Sequence, residues 1–534
     1  MVARLKFIIS RIKIESKSLN WLVVLLGLLI AWLAKDGIST FIFSGKNFLD
    51  RDIPYQVILF IAFTIIILLL IYPLVSVIAS NKWVVRTCTL VSQEVGAFVR
   101  RMVPDTKLRI TISLAIVGLG VIGIFLVNNV ATSIDTKNWV YSTHEIVPAM
   151  SVIGADFRAG LYLPAKELFV GKTFQQIWAN TLNDNAYPPL VTLTGLLFLP
   201  FEENKGYLIQ VLLLILFNIA SLAIAAALIH KYIFRRSGMD ETVSLLISAF
   251  LFISFSFYTF SSYPFLFSIE RGNYDIVALF FTLLTLWVFL RHPEKMWTQV
   301  ILLSIATNLK IYPAILFLLL LRKHGKKLIL PTLISNLVLL FVLGPNNLIA
   351  FITTLASRSG LDSTSNWIGN HSSYSFARDL VLNVYPTTPN VFTPLWLVCT
   401  LLPVLLWGIA AFFLLKEKVN SQTAILYFMV SVPLMDIIPT VSHDYRLVIQ
   451  FSVAILLIAF IIQKIIQKSK LIDYLQLVLI LEIFLFMGRS FSFFSPNDYF
   501  FFASKYLWLL GFELLIVLNI VQYRLNDSEP QLTP

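Results

Sequence analysis

Long blocks of predominantly apolar residues constrain this chain more than any other feature of its sequence. Ile58 to Ile71 and Leu212 to Ile229 are two examples. Such blocks run to roughly 17–25 residues, the length that a helix needs to cross about 30 Å of hydrocarbon. Backbone groups in lipid must pair internally, so only helices and closed barrels can span a membrane. Barrel strands are apolar at every second position, whereas these blocks are apolar throughout. The sequence therefore predicts an all-α polytopic integral membrane protein.

The composition supports this class. Of the 534 residues, 58% are apolar and 13% are charged, whereas a soluble domain is charged at about a quarter of its residues. The net charge is +12, but Lys and Arg cluster beside the apolar blocks and form no single basic face. We therefore interpret them as topology signals and expect membrane lipids, not nucleic acid, as a partner.

The apolar blocks also define the expected organisation of the chain. We expect a single membrane domain, 1–534, in which N-terminal spans (1–127) precede an outer loop (128–186). Further spans (187–525) and a disordered tail (526–534) follow. The candidate spans are residues 19–34, 55–79, 109–127, 187–201, 206–230, 242–260, 274–290, 298–321, 326–344, 391–415, 422–440, 446–463, 471–487 and 500–521.

Basic clusters after residues 230, 321, 415 and 463 should all lie in the cytoplasm. Counting the spans allows this only if two segments enter the membrane and return. These are 187–201, which is headed by Pro188 and Pro189, and the block that is broken at Lys310–Pro313. Broken helices are tolerated where protein or a water-filled cavity covers the exposed backbone. The breaks therefore indicate a site, and the loops 128–186, 261–273, 345–390 and 440–446 are predicted to lie outside.

Asp156 is the first candidate catalytic residue. Apolar residues at 157, 161, 165, 168 and 169 recur at helical spacing, which predicts a helix in the membrane interface that begins at Asp156. A carboxylate at this position can take the proton of an attacking hydroxyl group. Alternatively, Asp156 serves only as a helix cap, and the spacing of the residues by itself favours this second role.

The loop that begins with Asp156 ends with Tyr187-Pro188-Pro189-Leu190. Three further polar segments follow it along the chain: 269–275 (IERGNYD), 308–313 (NLKIYP) and 442–447 (SHDYRL). Together they resemble the membrane glycosyltransferases of the GT-C class, and more closely glycosyltransferase family 87. The resemblance covers residues from about 150 to 450 and implies a GT-C-like bundle of about 12–14 transmembrane or re-entrant helices.

The resemblance implies an inverting transfer of a sugar, a hexose such as mannose or a pentose, from a polyprenyl-phosphate donor. Asp156 would be the general base, and the acceptor would be a lipid or glycan outside the cytoplasm. We expect a bacterial plasma membrane with the active site facing outside, the endoplasmic reticulum being the alternative. Nothing in the sequence requires a metal or another cofactor, because His and acidic residues form no recognisable ligand set.

Within this scheme, Lys310 and Arg446 are candidates to bind the donor phosphate, and His443 can donate to the same group. Alternatively, Lys310 extends to the interface and Arg446 pairs with Asp444. The other candidate substrate-binding residues are Arg158, Glu270, Arg271, Asn273, Asp275, His371, Arg378 and Asp444. The loop 345–390 is a candidate lid or acceptor loop, with Trp367 and Tyr374 as possible sugar-stacking rings.

Two other functional classes remain open from the sequence. A secondary transporter or lipid flippase would also have broken helices and charged residues within the membrane, but its charged residues would lie near the middle of the bilayer. Here the charged residues concentrate at the ends of the spans. A polysaccharide polymerase or ligase would rely on Arg and His in an outer loop, which the loop 345–390 provides.

Overall fold

The computed structural model describes residues 106–134, 154–172, 187–357, 369–384, 391–416, 419–468, 471–488 and 505–527. The predicted spans 19–34 and 55–79 lie outside these residues, as do Trp367 and the tail from residue 528. Within the described ranges the chain is helical and contains no β-strand, apart from one isolated antiparallel bridge between Asn370 and His443. The predicted all-α class is confirmed.

We number the described helices in chain order. They are α1 Thr106–Ile134, α2 (155–169), α3 Pro189–Gly195, α4 Glu203–Leu228, α5 Glu241–Ser261, α6 Tyr263–Arg271, α7 Asp275–Arg291, α8 Met296–Leu309, α9 Phe317–His324, α10 Ile329–Leu340, α11 Pro345–Ser357, α12 Ser373–Val384, α13 Phe392–Leu415, α14 Ser421–Ile437, α15 Gln450–Lys468, α16 Leu471–Met487 and α17 Tyr506–Asp527. A π-helical turn, Arg158–Tyr162, forms the middle of α2, and 3₁₀ turns over Tyr312–Leu316 and Asp444–Ile449 precede α9 and α15.

Each predicted span coincides, over its described residues, with an apolar helix, except for 298–321, which is divided between α8 and α9. Among these helices, six are long and apolar enough to cross a membrane, or up to eight if each sharply bent pair counts as one span. One such pair is α6 and α7, whose axes differ by 110°. The bend lays α6 across the end of α7. The chain is thus an integral membrane protein.

Helix α15 forms the centre of the bundle. An 18-residue stretch of the span Asp444–Gln467 is buried throughout, because it is apolar on all sides and packs against α4, α5, α14 and α16. By contrast, α13 exposes Leu397, Val398 and Leu405, as expected for a helix that faces lipid. Since lipid chains are as apolar as these side chains, close packing and interhelical hydrogen bonds stabilise the bundle.

The chain reverses direction at Lys310, where the sequence predicted a break. Helix α8 ends at Leu309 and Lys310 is extended, with φ −148° and ψ 129°. Gln299, near the start of α8, and His324, at the end of α9, are joined by a 2.8 Å hydrogen bond. Residues 298–321 therefore return to the end of the bundle where they began. Pro189–Phe198 forms another short helix of about 15 Å, which is too short to cross a membrane.

Basic residues collect at the end of the bundle to which His324 returns. The guanidinium of Arg322 donates to the carbonyls of Leu415 (2.5 Å) and Lys416 (3.1 Å), and Arg236 bonds Ser421 at the start of α14. Asp275, Lys310 and Arg446 lie where α7 begins, α8 ends and α15 is entered, which is the opposite end.

Candidate active site

Residues 268–275 form two consecutive helix caps. Helix α6 ends at Arg271, and the backbone N–H groups of Gly272 and Asn273 donate to the carbonyl of Ser268 at 3.0 and 3.1 Å. Gly272 has φ +70°, and a Cβ atom there would lie 2.7 Å from the Cβ of Phe157, so only glycine fits. The Asn273 side chain then accepts from the N–H of Asp275 at 3.1 Å, which starts α7. This turn presents Arg271, Asn273 and Asp275 to the same region.

Asp156 is buried and its carboxylate binds two of these side chains. Arg271 Nη2 lies 2.5 Å from Oδ1, and Asn273 Nδ2 lies 2.6 Å from Oδ2. Asp156 stands in the first turn of α2, as the sequence predicted, but its side chain caps no backbone N–H group there. Since each carboxylate oxygen has two lone pairs, both can still accept a hydrogen bond from a substrate.

Tyr187 connects this carboxylate to a second charged group. Its hydroxyl accepts from Asn273 Nδ2 at 3.2 Å, and its ring lies 4.8 Å from Lys310 Nζ, within cation–π range. Burial, followed by the charge of Asp156, raises the pKa of Tyr187 well above its usual value. The hydroxyl therefore stays protonated. We call Asp156, Arg271, Asn273 and Tyr187 the carboxylate arm.

Lys310 and Arg446 lie on either side of Asp275 and form the second group, which we call the cation pair. The buried carboxylate of Asp275 lies 3.3 Å from Lys310 Nζ and 3.5 Å from Arg446 Nε, and the hydroxyl of Tyr312 donates to it at 2.6 Å. The Arg446 guanidinium also stacks over the Tyr312 ring at 4.8 Å. Charge repulsion between Lys310 and Arg446 is thereby offset, so both cations can lie side by side in a poorly hydrated position.

Arg446 reaches Asp275 because residues 440–446 are tied to residues 369–372. The Asn370 side chain bonds the carbonyl of Thr440 and the N–H groups of Ser372 and Ser442 at 2.9–3.1 Å. Arg446 Nη1 additionally donates to the carbonyl of Val441 at 2.9 Å. Asn370 is fully buried, and its side-chain hydrogen bonds hold this turn.

His443 is largely buried and is close enough to interact with Arg271 of the carboxylate arm and with Arg446 and Lys310 of the cation pair. Its ring centroid is 5.7 Å from that of Tyr445. Burial, and then the neighbouring charge of Arg271, lowers the pKa of His443 well below its usual range. The imidazole is therefore neutral near pH 7 and suited to hydrogen bonding without adding charge.

Behind the cation pair lies a third, fully buried group. Lys505 Nζ binds Asp444 Oδ2 at 2.8 Å, and Asp444 Oδ1 faces His371 Nδ1 at 3.4 Å. The alternative pairing of Asp444 with Arg446 does not occur, because Lys505 takes its place. Asp444 and His371, which the sequence predicted to bind substrate, have no exposed surface, and their described contacts are with each other, Lys505 and residues of the surrounding turns.

Several other predicted site residues lie elsewhere or act differently. Arg158 is about half exposed and pairs with Glu203 at 3.1 Å, because it points away from Asp156 on α2. Arg378 pairs with its neighbour Asp379 at 2.6 Å. Glu270 contributes its backbone carbonyl, which accepts from Gly154 N at 2.7 Å. The ring of Tyr374 packs against Phe392 and Trp396 and is buried, so it offers no sugar-stacking face.

Four residues of the site received no role from the sequence: Tyr187, Tyr312, Ser442 and Lys505. Tyr187 and Tyr312 each directly precede a proline at a helix boundary, which is a usable signal. Lys505 is the one basic residue within the predicted span 500–521, and charged residues within spans are by default candidates for function. Ser442 has no comparable signal.

One comparison with known proteins identifies a family over part of the chain. Residues 185–436 match the model of glycosyltransferase family 87. The matched segment includes Tyr187, Arg271, Asn273, Asp275 and Lys310, whereas Asp156 precedes it and Arg446 follows it. No curated protein and no solved structure matches the chain. With its apolar helices and its similarity to glycosyltransferase family 87 over residues 185–436, the chain is identified as a membrane glycosyltransferase.

Proposed function

We propose that the protein transfers a hexose or pentose from a polyprenyl-phosphate donor to a lipid or glycan acceptor, with inversion at the anomeric carbon. The observation that carries the proposal is the contact of Tyr187 with both groups. Its hydroxyl bonds Asn273 of the carboxylate arm, and its ring faces Lys310 of the cation pair. Tyr187 would thus hold the base, Asp156, and the phosphate-binding residue Lys310 at a fixed separation, and the donor sugar would bind between them.

The carboxylate arm would act on the acceptor. The acceptor hydroxyl attacks the anomeric carbon, its proton moves to an oxygen of Asp156, and the bond from that carbon to the phosphate oxygen breaks. Arg271 and Asn273 fix the direction of the carboxylate, so the base needs no reorientation during the reaction. A single displacement of this kind inverts the anomeric configuration.

The cation pair would act on the leaving group. Negative charge grows on the departing phosphate while positive charge grows at the anomeric carbon. Lys310 and Arg446 are preorganised by Asp275, and they lie where bulk water is largely excluded, so their attraction for a developing anion is strong. In both groups together, two ion-paired carboxylates face three cations, which favours an anionic donor.

The distribution of basic residues supports a site that faces away from the cytoplasm. Arg236, Arg322 and Lys416 lie together at the end of the bundle opposite to Asp275 and Lys310. Cytoplasmic ends are enriched in Lys and Arg. A bacterial plasma membrane with an outward-facing site agrees with this arrangement.

The proposal is tested by measuring transfer with purified protein in detergent or nanodiscs. The protein is incubated with polyprenyl-phosphate mannose, polyprenyl-phosphate glucose or a polyprenyl-phosphate pentose. For each sugar, the matching polyprenyl-diphosphate sugar and nucleotide sugar are tested as alternative donors. We expect hydrolysis or transfer from a monophosphate donor only, with release of polyprenyl phosphate. Transfer from the nucleotide sugar, without reaction of any polyprenyl-phosphate donor, would overturn the proposal.

A further inference from the structure

Lys505 is an unusual lysine in a position that the family match does not include. Its side chain is fully buried, with Nζ 2.8 Å from Asp444 Oδ2 and 3.3 Å from the carbonyl of Met487. Its backbone has φ +52°, in the left-handed region that residues other than glycine rarely adopt. Such strain persists where the surrounding contacts hold the residue in place.

The contacts of Lys505 extend through Asp444 to two further buried side chains. Asp444 Oδ1 faces His371 Nδ1 at 3.4 Å, and His371 Nε2 lies 3.0 Å from the hydroxyl of Ser442. The neutral tautomer that accepts from Ser442 at Nε2 has its proton on Nδ1, on the side of Asp444 Oδ1. We call Lys505, Asp444, His371 and Ser442 the buried chain.

The buried chain is directly connected to the cation pair. Asp444 is the first residue of the 3₁₀ turn that contains Arg446, and its N–H donates to the carbonyl of Gly369 at 3.0 Å. The N–H of Arg446 donates to the carbonyl of His443 at 2.9 Å within the same turn. A shift of Asp444 must therefore move Arg446 relative to Asp275.

We infer that Lys505 is a positioning residue of the transferase, which fixes the turn of Arg446 by compensating the buried charge of Asp444. The inference rests on the proposed function, because it assigns the effect of Lys505 to phosphate binding by Arg446. It also assigns the C-terminal helix α17 to the active site, since Lys505 directly precedes that helix.

The argument is one of charge. A fully buried carboxylate requires a cation, and breaking such a pair by removing one partner is strongly unfavourable. Lys505 supplies that cation, so His371 can stay neutral. Burial lowers the pKa of His371 even though the carboxylate of Asp444 lies beside it. The titratable and charged groups that act on His371 are Asp444, Lys505, Arg446 and His443.

If Lys505 is replaced by Met, His371 is the neighbouring group that can balance Asp444 by taking up a proton. The charge of the buried chain would then depend on pH in the range where histidine titrates. A role in stability alone would lower the amount of folded protein but would not give turnover this dependence.

The experiment measures turnover at saturating polyprenyl-phosphate sugar, at about pH 6 and about pH 9, for wild type and Lys505→Met. We expect the turnover of Lys505→Met relative to wild type to be at least about tenfold higher at the acidic pH. Adding His371→Gln to Lys505→Met should abolish this acidic recovery. A ratio that is the same at both pH values would overturn the inference.

A charge-neutral variant keeps the inference testable if Lys505→Met does not fold. Lys505→Met/Asp444→Asn removes both charges, so no buried ion is left without a partner. We expect it to fold but to turn over at least about tenfold more slowly than wild type at both pH values, because the contact between Lys505 and Asp444 that holds the turn is lost. Arg446→Gln added to it should then lower turnover by less than about twofold. Wild-type turnover, or independent effects of Arg446→Gln, would contradict the inference. Absence of transfer by wild type in the same assay would instead reject the proposed function.

Discussion

The hydroxyl of Tyr187 accepts a hydrogen bond from Asn273 at 3.2 Å, and through Asn273 it is connected to the carboxylate of Asp156. The same tyrosine packs its ring against Lys310. One side chain therefore sets the geometry of the carboxylate arm relative to the cation pair, and changes to it should impair both.

Replacement of Tyr187 should separate its two contacts. Tyr187→Phe removes the hydrogen bond to Asn273 and keeps the ring, so we expect a loss of about three- to tenfold in kcat/KM. Tyr187→Leu also removes the ring beneath Lys310, and the loss should exceed about thirtyfold. Tyr162→Phe is a matched control, because it removes a 3.0 Å hydrogen bond to the carbonyl of Phe201 outside the site. Equal effects of all three variants would show that Tyr187 has no specific role.

The same ring can be displaced without changing it. A Cβ atom added at Gly160 would lie 2.5 Å from Cε2 of Tyr187, a distance that forces the ring to move. We therefore expect Gly160→Ala to impair transfer about as much as Tyr187→Leu, and Gly123→Ala in α1, where no atom lies within 4 Å of the added Cβ, serves as a control for substitution of a helical glycine. Wild-type transfer by Gly160→Ala would show that the position of the ring is unimportant.

The cation pair predicts a second pattern of kinetic effects. Lys310→Met and Arg446→Gln should each raise the KM for donor or lower kcat by about an order of magnitude or more, since each removes a charge-assisted contact to the phosphate. Arg446→Lys should restore only part of the activity, because lysine lacks the planar guanidinium that stacks on Tyr312. Lys205→Met, at an exposed pair with Glu202, is the control. Unchanged donor kinetics in both site variants would assign these residues to structure.

The topology has its own test. Single cysteines at Arg158 and Arg235, both partly exposed, are introduced into a protein without Cys88 and Cys399. A membrane-impermeant thiol reagent added from the outside should label position 158 in intact cells, whereas position 235 should react only after permeabilisation. The reverse pattern would place the site in the cytoplasm.

The buried histidines predict how stability depends on pH. Burial holds the pKa values of His371 and His443 below their usual values, so these side chains stay neutral in the folded protein. As the pH falls below about 6.5, the unfolded chain takes up protons that the folded one does not. Stability should therefore be highest above that pH and fall by up to about 1.4 kcal/mol per pH unit for each histidine. Thermal unfolding between about pH 8 and about pH 5.5 tests this, and a midpoint that rises on acidification would contradict it.

The apolar blocks predicted the helices because the membrane requires long apolar segments, and Pro313 predicted the break at Lys310. The partners across the bundle were not predictable. Asp156 and Arg271 are 115 positions apart, and Lys505 and Asp444 are 61 apart, while the helical pattern contains no information about which ends meet. For this reason the sequence assigned Asp275 to the sugar, whereas its carboxylate lies between two cations. Arg158 was placed in the site because it is close to Asp156 in sequence, yet residues two apart on a helix face different directions.

The catalytic assignment of Asp156 is tested most directly by the turnover of Asp156→Asn with a polyprenyl-phosphate sugar donor. Asparagine keeps the shape of the side chain and one acceptor oxygen, but it cannot take a proton. We predict that kcat falls by about a hundred- to ten-thousandfold with donor affinity close to wild type. Thermal unfolding is measured alongside, because the substitution also removes the charge that pairs with Arg271, and the comparison is made at a temperature where both proteins are folded. Asp240→Asn, at the exposed cap of α5, should leave transfer unchanged, because Asn caps a helix as well as Asp. Transfer by Asp156→Asn at a near wild-type rate would contradict the assignment of Asp156 as the general base.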